Sequence, residues 1–292
     1  MIALDARTLA ALGDLELVAR RIVDGFMFGT HPSRVQGAGV EFSQYRSYQP
    51  GDDIRRIDWK LFARSDRYFL RESEVETSVS VRILLDASDS MRQAEDGVSK
   101  FEYARLLAAA LATLAFRQGD AVALTALLDG GARALPPNRG RGHLGRILRE
   151  LEQLAPAGTW PGWRSAEGTL LSGAGRSVIF ALTDLHERST EIRAALTKLA
   201  ALGHDVAVLH LVGRRELEFD YGDDLIFEEL ETGRTLEVTG AEARAHYLHS
   251  LDAALRTLEL DLGEQRIEYT RIRLDTPLDA ALRQALARRL GR

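Results

Sequence analysis

Short apolar runs alternate along this chain with longer stretches of helical length. The runs cover residues 83–85, 120–128, 176–182 and 205–212. Each is nearly uniformly apolar and too short for a helix, which is typical of a strand buried on both faces of a parallel sheet. Stretches with helical character, such as 100–117 and 190–202, lie between them. This alternation predicts βαβ units and an α/β fold with a doubly wound, mostly parallel sheet and helices on both faces.

The remaining pattern predicts further helices at both ends of the chain. The segments concerned are 4–27, with Asp14 as an N-cap, and 143–154, 241–262 and 278–290. A strand is expected at 266–274, a hairpin return at 132–135, a basic loop at 136–142, and short strands and turns at 216–238. The sheet therefore has a helical and irregular extension before it.

Small oxygen-bearing side chains follow the first apolar run. Asp86, Ser88 and Ser90 come at the carboxyl end of the predicted strand, at spacing i, i+2 and i+4. Ligands of open α/β sheets bind at that end. Hydroxyl and carboxylate oxygens that converge on a point suit a hard cation such as Mg²⁺. The stretch 86–90 is therefore interpreted as a metal-ion loop.

The Asp-x-Ser-x-Ser pattern resembles the metal-ion-dependent adhesion site of von Willebrand factor A domains. A second set of motifs precedes it: Gly39-Val-Glu-Phe42, Arg46-Ser-Tyr48, Pro50-Gly-Asp-Asp53, Arg55-Arg-Ile-Asp-Trp59 and Ala63-Arg64. These motifs resemble the signature of the bacterial family called domain of unknown function 58. The resemblance implies an N-terminal extension with the signature at 1–75 and a von Willebrand A-like domain at 76–292.

The resemblance also implies the rest of the metal site. Such sites take oxygens from three loops, and Thr159 after Gly158 matches the second loop, while Asp184 matches the third. The family pattern has two glycines before the threonine and this chain has one. The implied ion is Mg²⁺, with Mn²⁺ as an alternative. The implied role is non-enzymatic: the ion accepts a carboxylate from a partner protein.

The family often occurs beside MoxR-type AAA+ ATPases, so the resemblance implies such an ATPase, or a client protein with an acidic side chain, as partner in a chaperone-like assembly system. The signature segment 39–72 carries both signs of charge in similar number. It is interpreted either as an ion-paired brace or as a docking surface. Trp59 and Phe62 are expected to anchor this segment on the core.

Composition excludes several kinds of protein. The chain has no cysteine, so disulfides, zinc–thiolate sites and cysteine nucleophiles are ruled out. Its net charge of -5 argues against a general nucleic-acid binder. No apolar stretch reaches the ~20 residues of a membrane span, and the N-terminus lacks signal-peptide character. A cytoplasmic protein is therefore expected.

Two alternative functions are each suggested by one feature of the sequence. Asp86 occupies the nucleophile position of haloacid-dehalogenase-type phosphatases, but these need a second acid two residues on, where this chain has Ser88. Nucleic-acid binding through Arg139-Gly140-Arg141 is a second alternative, and its affinity would fall steeply with salt. The chain contains neither a Walker-type phosphate loop nor a Gly-x-Ser-x-Gly elbow.

Overall fold

The structure is a computed structural model. It describes residues 5–29, 42–49, 57–65, 67–73, 80–128, 131–161, 163–170, 175–186, 190–220, 224–228 and 235–290. The contact pattern divides the chain into two units, one formed by Met1–Ser33 with Val79–Arg292 and the other by Arg34–Ser78. The predicted domain boundaries, 1–75 and 76–292, stay a prediction.

Helices and strands alternate through most of the described residues. The helices are α1 (Ala6–Ala10), α2 (Leu15–Gly29), α3 (Trp59–Ser65), α4 (Lys100–Arg117), α5 (Arg141–Gln153), α6 (Trp163–Leu170), α7 (Glu191–Ala201), α8 (Arg214–Glu218), α9 (Gly240–Glu264) and α10 (Leu278–Leu290). The strands are β1 (Phe42–Ser47), β2 (Phe69–Ser73), β3 (Ser80–Asp86), β4 (Ala94–Glu95), β5 (Val98–Ser99), β6 (Ala121–Leu128), β7 (Gly131–Asn138), β8 (Ser177–Thr183), β9 (Asp205–Val212), β10 (Asp224–Glu228), β11 (Thr235–Thr239) and β12 (Glu268–Arg273).

A six-stranded sheet organises the larger unit. Its strand order is β12-β9-β8-β3-β6-β7, and every neighbouring pair is parallel except β6 with β7. β3 lies between β8 and β6, so its carboxyl end is in the middle of the sheet edge. This confirms the predicted α/β fold with a mostly parallel sheet.

The sheet separates two apolar cores, because successive residues of a strand point to opposite faces. Ile83 and Leu85 of β3 belong to the core that contains α2, α4, α5 and α10. Leu84 belongs to the opposite core, with side chains of α6 and α7. Helices therefore cover both faces, as predicted. The apolar side of α2 contributes Val18 and Ile22 to the first core.

Most predicted elements of the larger unit are present, but some boundaries were wrong. The expected loop at 136–142 is instead the end of β7 and the start of α5. Pro136 and Pro137 fit there because β7 is an edge strand, where a missing N–H is tolerated. The segment 216–238 begins with the last turn of α8, which the sequence pattern did not indicate.

The smaller unit contains an antiparallel pair, β1 with β2, and the helix α3. Asp58 caps α3 by accepting a hydrogen bond from the Leu61 N–H at 3.1 Å. The ring of Phe62 stacks on Tyr68 with centroids 4.5 Å apart. The side chain of Trp59 is 58% exposed, and the anchoring role of Trp59 and Phe62 stays a prediction. Much of the signature segment, including 50–56, lies outside the described residues.

Candidate metal centre

The predicted metal loop lies at the carboxyl edge of the sheet. Asp86 is the last residue of β3, and Asp184 directly follows β8, the parallel neighbour of β3. Ser88 and Ser90 lie in and after the turn that leaves β3, at the start of a 3₁₀ helix, Asp89–Arg92. All four side chains are buried. The topology therefore brings together residues that are nearly a hundred positions apart in the chain.

Four oxygens form a continuous chain across this site. The Ser88 hydroxyl donates to Asp86 Oδ1 at 2.7 Å. The hydroxyls of Ser88 and Ser90 are 3.0 Å apart. The Ser90 hydroxyl donates to Asp184 Oδ1 at 3.1 Å. Three oxygen–oxygen contacts thus connect two carboxylates through two serines.

The four oxygens have fewer hydrogens available than they have contacts. Two hydroxyl groups supply two hydrogens, but the chain has three contacts, so with both carboxylates ionised one contact has no hydrogen in it. A proton on a carboxylate would complete the chain. A cation placed among the same oxygens would remove the need for the third hydrogen, because all four oxygens carry lone pairs. The donor set therefore fits a cation.

The second oxygen of Asp86 is also bound. The Thr183 hydroxyl donates to Asp86 Oδ2 at 2.6 Å. Burial raises the pKa of Asp86 well above its ordinary value, and the negative charge of Asp184 raises it further, while the hydrogen bonds from Thr183 and Ser88 oppose this. A buried carboxylate of this kind favours a proton or another positive charge nearby.

The second loop of the predicted site joins the first through backbone contacts. The N–H of Ala157 donates to the Ala87 carbonyl at 2.8 Å, and that of Asp89 donates to the Gly158 carbonyl at 2.7 Å. Asp89 lies outside the predicted ligand set, and its carboxylate accepts a hydrogen bond from the Gly158 N–H at 2.8 Å. Gly158 has φ +66°, a conformation that favours glycine. The two loops are thus held side by side.

Among the residues that the structure describes, Thr159 is the predicted ligand that has no hydrogen-bond link to the other four. It follows Gly158 in this loop and is half-buried. Within the described part of the chain, no hydrogen bond joins its side chain to Asp86, Ser88, Ser90 or Asp184. Its role as a ligand stays a prediction.

The spacing of the oxygens suits a small octahedral ion. Adjacent ligands of Mg²⁺, with bonds of about 2.0–2.1 Å, are about 2.8–3.0 Å apart. The three contacts measure 2.7, 3.0 and 3.1 Å.

The described residues contain no group of three or more His, Cys, Asp or Glu side chains arranged to hold a metal. This candidate site differs from such groups because three of its five candidate ligands are hydroxyls.

Several side chains around the centre were not predicted. The Lys100 ammonium lies 3.3 Å from Asp184 Oδ2 and 2.8 Å from Glu216 Oε1. His210 is buried behind Asp184 and lies 2.7 Å from the Tyr269 hydroxyl. The sequence pattern placed Lys100 simply at a helix start and His210 in a strand, and neither position signals contact with a site.

A cavity of about 630 Å³ lies beside the centre. Ser90, Lys100 and Asp184 line it on the polar side. Tyr247 and Leu251 of α9 contribute to its apolar wall. A group that reaches the metal centre from this cavity would therefore meet both polar and apolar surfaces.

Comparison with known proteins identifies the family. The family model described as "Protein of unknown function DUF58" matches residues 44–255, which is more than half of the chain. The chain belongs to the DUF58 family. Uncharacterized proteins of Mycobacterium bovis and Mycobacterium tuberculosis are 28% identical to it over 257 residues, covering 86% of this chain and 76% of each relative.

Solved structures similar to this DUF58 protein include BatB and the VWA domain of SpRpn10. BatB from Bacteroides thetaiotaomicron, described as a conserved hypothetical protein, is 18% identical, with a TM-score of 0.44 and coverage of 73% of this chain and 100% of BatB. The VWA domain of SpRpn10 is 11% identical, with a TM-score of 0.40 and coverage of 70% of this chain and 94% of the SpRpn10 domain.

Among the described helices of this DUF58 protein, none is both long and apolar enough to cross a bilayer.

Proposed function

We propose that this DUF58 protein is a non-enzymatic, Mg²⁺-dependent protein-interaction module whose metal centre accepts an acidic side chain from a partner. The observation that carries the proposal is the chain of four buried oxygens, whose three contacts have only two hydrogens between them. Either an added proton or a bound cation would compensate for the missing hydrogen. Mn²⁺ is the alternative ion, because it also prefers oxygen ligands.

The residues divide the work of binding. Ser88 and Ser90 would hold the ion through their hydroxyls, and Asp86 and Asp184 would hold it directly or through water. Thr159 would contribute from the second loop. Because three of these five groups are neutral hydroxyls, the ion would keep enough positive charge to bind a further carboxylate. The cavity beside Ser90 and Asp184 is the side from which that carboxylate would approach.

The metal centre is tested by direct binding. We expect wild-type protein to bind Mg²⁺ at one site, and Ser90→Ala and Asp184→Asn to raise the Kd by roughly tenfold or more, since losing even an outer-shell partner typically costs 10–100-fold. Titration calorimetry measures this. Ser250→Ala and Asp252→Asn, on exposed positions of α9, are the matched controls and should bind as wild type. Equal affinity in all five proteins would refute the site.

The proposed partner is a MoxR-type AAA+ ATPase, with a client protein as the alternative. Chelators cannot test this pair cleanly, because ATPases of this kind themselves need Mg²⁺ with their nucleotide. We therefore propose capture of the ATPase at constant Mg²⁺ on immobilised wild type, Asp184→Asn and Asp252→Asn. Capture that is lost with Asp184→Asn alone supports docking at the metal centre. Equal capture by all three would place docking elsewhere on the protein.

A further inference from the structure

Lys100 occupies an unfavourable position for a positive charge. It is the first residue of α4, directly after the N-cap Ser99, and its side chain is 5% exposed. The N-terminus of a helix carries the positive end of the helix dipole, which disfavours a cation. Burial of an ammonium group is also costly unless carboxylates surround it. Such a lysine requires specific partners.

One buried and one partly buried carboxylate supply the compensation. The Lys100 ammonium lies 3.3 Å from Asp184 Oδ2 and 2.8 Å from Glu216 Oε1. Burial lowers the pKa of Lys100, but the charges and hydrogen bonds of Asp184 and Glu216 outweigh burial and raise it overall. Lys100 is therefore charged.

Glu216 is itself held in place. Its second oxygen, Oε2, accepts a hydrogen bond from the Gly213 N–H at 2.6 Å, which caps α8. A Cβ atom at position 213 would lie 2.8 Å from Glu95 Oε2 and 3.3 Å from Glu216 Oε2. Glycine at this position thus leaves room for both carboxylates. The loop therefore holds the Glu216 carboxylate in the position from which it pairs with Lys100.

Asp184 connects the ammonium to the metal centre. Its Oδ1 accepts from Ser90, on the side of the oxygen chain, while its Oδ2 faces Lys100. One carboxylate is therefore shared between the candidate metal ion and the lysine. A charge change at Lys100 acts on the metal centre through this single group.

The ionisable side chains joined by these contacts have a net negative charge. Among the described residues joined in it, Asp86, Asp184 and Glu216 carry three negative charges and Lys100 carries one positive charge, which leaves a formal charge of about −2 when all are ionised. A divalent cation neutralises this charge. Without Lys100 the network would have one negative charge more, and without Glu216 one fewer.

We propose that Lys100 sets the metal affinity of this centre, because its ammonium competes with the divalent ion for Asp184 and keeps binding weaker than the oxygen set alone would allow. The inference rests on the proposed metal-dependent function. A weakly bound ion leaves its site more readily. A partner that adds a carboxylate therefore has a larger effect on the fraction of protein that holds the ion.

A charge cycle tests the proposal. Lys100→Met should lower the Kd for Mn²⁺ by roughly tenfold or more, since a neighbouring unit charge in a buried site contributes at least that much. Glu216→Gln should raise the Kd. The double variant restores the charge balance and should return close to wild type, and Lys100→Arg, which keeps the charge, should stay close to wild type. Electron paramagnetic resonance of free Mn²⁺ measures binding, with Mg²⁺ as competitor.

The controls separate this inference from the metal site itself. Lys198→Met removes an exposed lysine of α7 and should not change the Kd. If Lys100→Met does not fold, the comparison of Glu216→Gln with the double variant carries the test, because loss of the lysine should raise affinity in that background too.

The outcomes are distinct. If wild type binds Mn²⁺ and loss of Lys100 leaves the affinity equal or weaker, the Lys100 inference is overturned and the proposed function stands. If only proteins without Lys100 bind, the inference holds and metal dependence of the wild type fails. If no protein binds, both fail.

Discussion

At the scale of single residues, the histidine behind the candidate metal centre has an unusually low pKa. Burial lowers the pKa of His210 to about 4, and the ammonium of Lys100 contributes in the same direction, while Asp184 opposes it. His210 lies 2.7 Å from the Tyr269 hydroxyl and also hydrogen-bonds the backbone of Asp184. The neutral ring is thus fitted between β8, β9 and β12, where it supports the backbone of a candidate ligand.

The pH dependence of folding should report this histidine. In the unfolded chain a histidine has a pKa of about 6.5. As the pH falls from 6.5 toward 4, the unfolded state takes up a proton that the folded state does not. His210 therefore stabilises the fold fully above pH 6.5 and loses up to about 3 kcal/mol of that contribution by pH 4.

The measurement is urea unfolding of wild type and His210→Gln in EDTA, from pH 7.5 to 4. The difference in unfolding free energy between the two proteins should shrink as the pH falls. Comparison with the variant cancels the opposite pH dependence of Asp86. A constant difference across this range would contradict a depressed pKa at His210.

At the scale of elements, helix α4 connects the core to the candidate metal centre. Its buried residues, such as Leu107 and Leu111, belong to the core on one face of the sheet, while its first residue reaches Asp184. Ser99 and Glu102 form a reciprocal capping box, each side chain accepting from the backbone N–H of the other. The cap fixes where the helix begins and hence where Lys100 points.

Loss of this cap should destabilise the protein measurably. Ser99→Ala should lower the free energy of unfolding by about 1 kcal/mol, because a helix N–H loses its acceptor. Chemical unfolding of the variant measures this. Ser250→Ala, within α9 and exposed, should change stability by less than about 0.5 kcal/mol. If both serine variants were equally stable, the cap would not contribute as described.

At the scale of the whole molecule, the candidate metal centre lies between elements that both cores hold in place. β3 is central in the sheet, and its two faces contact different cores. The candidate ligands come from segments after β3 and β8, so an ion that binds them would connect distant parts of the larger unit. Binding should therefore oppose unfolding.

Thermal unfolding should show this coupling. A ligand at about 100 times its Kd stabilises the folded state by about 2.7 kcal/mol, which corresponds to a rise in Tm on the order of 5 °C for a unit of this size. Wild type in millimolar Mg²⁺ should melt higher than in EDTA, and Asp86→Ala should melt equally in both. A similar Mg²⁺ shift in Asp86→Ala would show that the ion stabilises another place.

The amino-acid sequence by itself determined the α/β fold and much of its element order. Residues 83–85 and 205–212 were predicted as strands, and residues 100–117 and 278–290 as helices, because such elements carry their signal in adjacent residues. The family signature was equally readable, and membership of DUF58 is confirmed. Asp86, Ser88 and Ser90 could be named as candidate ligands because they share one loop, and their metal role stays a prediction.

The tertiary structure alone decided which distant side chains meet. Lys100 and Glu216 are 116 positions apart, and α8, which carries Glu216, has five residues and so no detectable helical period. A lysine at the start of a helix ordinarily indicates solvent exposure, yet here the carboxyl ends of β8 and β9 bring two carboxylates to it. Local sequence carries no record of such contacts, because they depend on the order in which the strands assemble into the sheet.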